Sequence, residues 1–224
     1  MRTLIIDSGK SFTQNLSFFL KSKDMVVDTA LSGEDGWELA RLYDYDIIIM
    51  ENRLSDKTGY DILKHLRLSG NMTPVIVISS EISISEKVKM LTQGADDYLV
   101  KPFDKNELVA RMQTIVRRCH GHAGSTIKIG QLEINMTSKT VFIAGQPLKL
   151  TGKEYALLEL LCLRRGIMIS KEQFLNYLYG GIDTPEVKII DVFLCHIRHK
   201  IKKLSNGKQY IHTAWGRGYI LKED

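Results

Sequence analysis

Five polar residues in the first half of the chain stand at or just past the carboxyl ends of short apolar runs: Asp7, Ser8, Glu51, Ser79 and Lys101. Carboxylates are hard oxygen donors of the kind that hold a divalent cation. A lysine ammonium pairs with phosphoryl oxygens as a point charge, and a serine hydroxyl can donate to them. An acid and a lysine at one rim suit metal and phosphoryl chemistry better than flavin binding. Arg53, two residues after Glu51, adds a cation beside them. A second group lies in the other half of the chain. Lys188, Cys195, His199 and Lys202 share one side of a helical pattern, His196 and Arg198 flank it, and Arg217 follows in a glycine-rich turn. A cationic helix face followed by an arginine-tipped hairpin suits contacts to a DNA duplex, with the helix in the major groove and the arginine in the minor groove.

Two other constellations carry less. Ser8-Gly9-Lys10-Ser11 follows an apolar run and opens a helical pattern, as a phosphate-binding P-loop does. That pattern requires a glycine at position 4, where the chain has Leu4, so the loop is too short to wrap phosphates. Cys119-His120-Gly121-His122 offers three adjacent candidate metal ligands but no second cluster at zinc-site spacing. It reads as a solvated linker, and no metal site is expected. The three cysteines form no CxxC pair, which fits a reducing compartment.

The elements that must position the first group alternate regularly. Strand candidates are Thr3–Asp7, Met25–Thr29, Tyr45–Met50, Pro74–Ser79 and Tyr98–Val100. Between them lie amphipathic segments at Ser11–Lys21, Gly33–Leu42, Tyr60–Leu68 and Ser85–Gln93, and Lys105–Arg118 closes the series. Continuous apolar strands alternating with helices predict a doubly wound, five-stranded parallel sheet covered on both faces. In such folds the site lies outside the carboxyl ends of the strands, which brings Asp7, Ser8, Glu51, Ser79 and Lys101 to one rim.

With these positions, and with the run Gly94-Ala95-Asp96-Asp97-Tyr98-Leu99-Val100-Lys101-Pro102-Phe103, the first half resembles a response-regulator receiver domain of flavodoxin-like fold. The resemblance implies two adjacent acids that hold Mg²⁺, an Asp that accepts phosphate, a Ser or Thr that binds the phosphoryl group, and a Lys that pairs with it. The chain departs twice: the acid pair is Asp7-Ser8, and the acceptor position holds Glu51. Mg²⁺ demands near-ideal octahedral geometry, so its binding is expected to be weak or absent. Arg53 either occupies the vacated space, pairing with Asp7, Glu51 or Glu81, or points to solvent. Family members dimerise through the helix 4–strand 5–helix 5 face. The implied pairs here are Lys87 with Glu107, Asp97 with Arg111, and Asp96 with Arg118.

The second half begins after a linker at 119–126. Short strands are expected at Ile127–Ile129, Leu132–Asn135, Thr140–Ile143 and Gln146–Leu150, and helices at Gly152–Arg164, Ser170–Tyr179 and Pro185–Lys203. Asp183 or Thr184 would cap the last helix, with Val187, Ile190, Leu194, Ile197, Ile201 and Leu204 as its buried stripe. A hairpin follows, Tyr210–Thr213 turning through Ala214–Gly218 into Tyr219–Leu221. Leu150-Thr151-Gly152-Lys153-Glu154-Tyr155, Ile190-Asp191-Val192, Ile197-Arg198-His199-Lys200-Ile201 and Trp215-Gly216-Arg217-Gly218-Tyr219 resemble the α+β winged helix-turn-helix effector domain of OmpR/PhoB-type regulators. Leu178-Tyr179-Gly180-Gly181, Lys188–Phe193 and Tyr43–Ile48 look most like the cell-cycle regulators of alphaproteobacteria within that family. The implied DNA-facing set is Lys188, Phe193, Cys195, His196, Arg198, His199 and Lys202 on the helix, with Thr213, Trp215 and Arg217 on the hairpin. His196 and His199 stand where lysines are expected, which makes DNA binding more pH-dependent.

Charge agrees with this division. Residues 1–118 carry 16 Lys+Arg against 17 Asp+Glu, and residues 119–224 carry 15 against 9. A basic second half joined to a near-neutral first half points to a nucleic-acid module. No apolar run could span a bilayer and no signal-peptide pattern opens the chain, so a cytoplasmic protein without membrane contact is expected. The expected function is that of a non-enzymatic, dimeric transcription regulator without cofactor. Its partners would be double-stranded DNA with A/T-rich direct repeats and RNA polymerase, and it would act without aspartyl phosphorylation. Two alternatives stand beside it: a two-component switch, conventional or with Glu51 itself accepting phosphate, or a partner-binding adaptor with a vestigial DNA module.

Overall fold

The computed structural model describes residues 1–180 and 184–223. The chain divides into two compact units, Met1–Val116 and Arg117–Asp224. In the first, β1 (Arg2–Ile6), β2 (Val26–Ala30), β3 (Ile47–Glu51), β4 (Val75–Ser79) and β5 (Asp97–Val100) form a parallel sheet in the order β2-β1-β3-β4-β5. Its helices are α1 (Lys10–Lys21), α2 (Gly33–Leu42), α3 (Gly59–Leu68), α4 (Ile84–Thr92) and α5 (Lys105–Cys119). Strands β1 and β4 are buried along their whole length and β3 along all but its last residue. That explains why they read as unbroken apolar runs instead of alternating. Leu4, Ile6, Ile48, Met50, Val75 and Val77 pack with Ile62, Leu63 and Leu66 of α3. The strand order reverses between β1 and β3, and Asp7 and Glu51 stand at the ends of those two strands, where such sheets place a site.

In the second unit β6 (Thr126–Ile129), β7 (Leu132–Asn135), β8 (Thr140–Ile143) and β9 (Gln146–Pro147) form an antiparallel meander. Helices α6 (Gly152–Leu163), α7 (Lys171–Tyr179) and α8 (Lys188–Leu204) follow, then the hairpin β10 (Ile211–Ala214) and β11 (Gly218–Leu221). Thr151 and Ser170 each open their helix with a capping box, closed by Glu154 and Gln173, which satisfies two otherwise orphaned backbone donors. Gly180 ends α7 in the left-handed conformation, φ 72°, that a side chain disfavours.

Several sequence expectations need correction here. Strand β9 stops at Pro147, not Leu150: past it Leu148 N still bonds to Val141 O at 2.8 Å, but Lys149 and Leu150 already lead into the capped start of α6 at Thr151. The linker is shorter than 119–126, since Cys119 belongs to α5 and Thr126 to β6. Helix α8 begins at Lys188 instead of Pro185, with Val187 as its N-cap residue and no side-chain cap. The reason is the tight turn that leads in: Ile189 N bonds to Glu186 O and Ile190 N to Val187 O, three residues apart instead of four. Asp183, the other expected cap, lies outside the described residues, as does Gly181. The buried stripe of α8 is Ile190, Leu194, Ile197 and Ile201. Val187 is exposed and Leu204 is partly so, because both lie at the ends where packing runs out.

Candidate functional site

The sheet brings Asp7, Glu51 and Lys101 together at its carboxyl rim. Lys101 Nζ donates to Asp7 Oδ2 at 2.8 Å and to Glu51 Oε2 at 2.6 Å. The remaining carboxylate oxygens are also engaged: Asp7 Oδ1 accepts from Gly9 N at 2.7 Å, and Glu51 Oε1 from Asn52 N at 2.8 Å. The Lys101 ammonium also lies 4.1 Å from the Phe12 ring centroid. Burial pulls the Lys101 pKa down, but its hydrogen bonds to Asp7 and Glu51 and their charges outweigh this, leaving it above the ordinary lysine value.

Mg²⁺, which receivers use, fits this arrangement poorly. All four carboxylate oxygens already accept from nitrogen donors, and Ser8 supplies a hydroxyl where a second acid is needed. That hydroxyl is itself tied to the opposite loop, accepting from Ser55 N at 3.1 Å. Ser79 lies at the same rim, with its Oγ accepting from Glu81 N at 3.1 Å. Arg53 does not enter the vacated space: its side chain is 76% exposed and pairs with Glu81 at 2.8 Å. Lys101, not Arg53, neutralises the acids. Among the described residues no group of three His, Cys, Asp or Glu converges to hold a metal ion, at Cys119–His122 or elsewhere.

In the second unit α8 presents Lys188, Cys195, His196, His199 and Lys202 to solvent, with Phe193 partly covered. At the hairpin tip Trp215 is 89% exposed and Arg217 stands out beside it. Gly216 and Gly218 take positive φ there, and a Cβ on Gly218 would lie 2.1 Å from Ile169 O, so the hairpin sits directly on the backbone before α7. Arg198 does not point outward with the others. Its Nε donates to Ile211 O at 2.9 Å and its Nη2 to Thr213 Oγ1 at 2.8 Å.

Comparison with known proteins agrees with both halves. Residues 3–113 match the response regulator receiver domain, and residues 145–221 match the C-terminal domain of transcriptional regulatory proteins. The cell cycle response regulator CtrA of Brucella ovis is 51% identical over 223 residues, covering 100% of this chain and 96% of the relative. The chain belongs to the OmpR/PhoB-type response regulators. The CtrA of Brucella anthropi is 50% identical over the same span. The receiver domain of Francisella response regulator 1452 superimposes with a TM-score of 0.51 at 30% identity, over 53% of this chain and 98% of that one.

Within a single chain, residues of the expected dimer face of this response regulator already have partners. Arg111 is already closed within its own chain, bonding to Asp97 at 2.7 Å and Glu107 at 2.6 Å. Asp96 accepts from Val75 N at 2.8 Å and lies 3.6 Å from Arg67, while Lys87 sits over the Tyr98 ring. Arg118 is exposed on the last turn of α5.

Sequence reasoning missed two polar networks in the DNA-binding half of the regulator. Buried Glu154 accepts from Lys200 at 2.6 Å and from Thr151 N at 2.8 Å, with His196 Nδ1 3.9 Å away. Asp191 accepts from Lys171 at 2.8 Å and from the Tyr219 hydroxyl at 2.5 Å. Burial and the Asp191 hydrogen bond push the Tyr219 hydroxyl up to about 12. The signal was present for Asp191 and Tyr219, since both fall within the family motifs, but only the fold shows that they meet.

Proposed function

We propose that this response regulator binds specific DNA sites as a homodimer and holds its active form without aspartyl phosphorylation, with Glu51 as a standing negative charge. The observation that carries the reading is the Lys101 ammonium bridging Asp7 and Glu51. Glu51 carries its carboxylate one methylene farther out than an Asp would, toward the position where the family pairs this lysine with a phosphoryl oxygen, so a standing negative charge there is built into the sequence. The helix 4–strand 5–helix 5 face, here α4, β5 and α5, would join the protomers. Exposed ion pairs contribute little singly and serve mainly to fix register.

Residues 1–118 form the receiver and residues 127–224 the DNA-binding module in this reading, joined by a short linker. Helix α8 enters the major groove, and Arg217 reaches the adjacent minor groove, where narrow A·T-rich DNA attracts a guanidinium. The site is a direct repeat of A/T-rich half-sites, RNA polymerase is the partner downstream, and the regulator works in the cytoplasm without enzymatic activity of its own.

Treating the whole chain with Mg²⁺ and a small phosphodonor tests the switch. Sedimentation and duplex titration are expected to give the same self-association and affinity before and after treatment. A reproducible rise in either overturns the reading. Mass spectrometry of the same sample separates the rival in which Glu51 accepts phosphate, which requires a phosphoryl adduct on that residue. An untreated chain that binds no duplex from a randomised pool favours the adaptor reading.

A further inference from the structure

Arg198 looks from sequence like one more cation for DNA, but its surroundings give it another task. It lies on α8 seven residues after Asp191, two turns along one face. Between these two side chains sits Tyr219 of β11, 6% exposed. The Arg198 guanidinium carbon is 5.1 Å from the Tyr219 ring centroid, and the hydroxyl of that ring donates to Asp191. Asp191 in turn is held by Lys171 from α7. The Nε–Nη2 edge of Arg198 bonds to Ile211 O and Thr213 Oγ1 on β10, and Thr213 is the register partner of Tyr219. One arginine thus grips both strands of the hairpin and the recognition helix together.

We infer that Arg198 is a positioning residue that fixes the hairpin against α8, so that Arg217 meets the minor groove while α8 occupies the major groove. This rests on the DNA-binding reading above. Arg217 stands three residues past Ala214, the last residue of β10, and its N–H closes the turn onto Ala214 O at 2.9 Å. A tilt of the hairpin would therefore carry its side chain away from the groove. A small misplacement is enough to lose a contact of this kind, because the guanidinium must reach into a groove about 6 Å wide.

The geometry separates two roles that a single substitution would confuse. A base-reading arginine contributes independently of Arg217, whereas an arginine that positions the hairpin acts through Arg217. Lysine at position 198 keeps the charge but loses the fork that spans Ile211 O and Thr213 Oγ1.

The test uses the full chain and a duplex that the wild-type chain selects from a randomised pool. Affinities of wild type, Arg198→Lys, Arg217→Ala and the double variant form a cycle. Each is also titrated against duplexes with single base-pair changes under α8, with active fractions measured for every preparation. Arg217→Ala is expected to weaken wild-type binding about tenfold, the size of one good contact. In the Arg198→Lys background the same change should cost less than about twofold, since the contact is already lost. Base preference under α8 should be retained throughout. Additive losses, with preference relaxed at one base pair in Arg198→Lys, would show Arg198 reading a base and overturn the inference. Full affinity in Arg198→Lys, with the Arg217 effect intact, overturns it equally. A wild-type chain that selects no duplex removes the DNA-binding reading itself, and the inference with it.

Discussion

Replacing Lys101 with Met is expected to destabilise the receiver by about 2–3 kcal/mol at neutral pH. Asp7 and Glu51, with side chains only 5% and 12% exposed, share this one ammonium. Removing one partner of a buried ion pair costs about 3–5 kcal/mol, because the charge left behind stays desolvated. Lys101 is 21% exposed, so solvent screens part of that and the lower figure applies. The pH dependence follows from the sign of the shift. The Lys101 pKa is raised on folding, so its contribution is complete below the ordinary value of 10.5 and is lost as pH rises through the higher folded value. Urea unfolding of wild type and Lys101→Met between neutral and strongly alkaline pH reads the difference directly. It should be largest at neutral pH and close in alkali. A variant as stable as wild type at neutral pH would mean that the three groups are not coupled.

Glu154→Gln should cost the DNA-binding half about 2 kcal/mol at pH 7, within the range for hydrogen bonds to a charged group. The Glu154 carboxylate is buried at the first turn of α6, where the helix dipole also favours negative charge. Burial pushes its pKa up, but the hydrogen bonds from Lys200 and Thr151 N and the Lys200 charge outweigh this and leave it below the usual glutamate value. A depressed folded pKa places the stabilisation above the ordinary value of 4.5, and it is lost as pH falls through the folded one. Wild type should therefore converge on the variant in acid. Thermal unfolding followed from pH 7 down to strongly acidic conditions checks it, and a gap of constant size across that range would refute the assignment.

The strands of the receiver and the hairpin of the DNA-binding half were legible because burial on both faces and glycine turns leave plain marks in sequence. The rim was legible for a different reason. Asp7 and Lys101 lie 94 positions apart, and only the strand-end rule brought them together. What could not be read was which cation fills the vacated space. Arg53 is closer to Glu51 in sequence, but it leaves β3 toward Glu81, while Lys101 at the end of β5 faces the acids. The start of α8 was misplaced because Pro185 and Glu186 are good first-turn residues, yet the chain tightens through them before the helix begins. Glu154 closes the capping box of α6 three residues after Thr151, but its second partner, Lys200, is 46 residues away and carries no local signal. Arg198 falls beside an exposed cationic face, and nothing short of the hairpin's position distinguishes a residue that grips the wing from one that reads DNA.

Glu51→Gln tests most directly whether the Glu51–Lys101 pair stands in for a phosphorylated acceptor. Glutamine keeps the size of the side chain and removes its charge. The measurement is affinity of the full chain for a selected duplex, with sedimentation under the same conditions. Loss of the standing charge should shift the population toward the inactive form, lowering affinity on the order of tenfold and weakening self-association. Mg²⁺ with a phosphodonor should restore neither. Affinity and self-association unchanged from wild type would contradict the account, because the charge on Glu51 would then hold nothing in place.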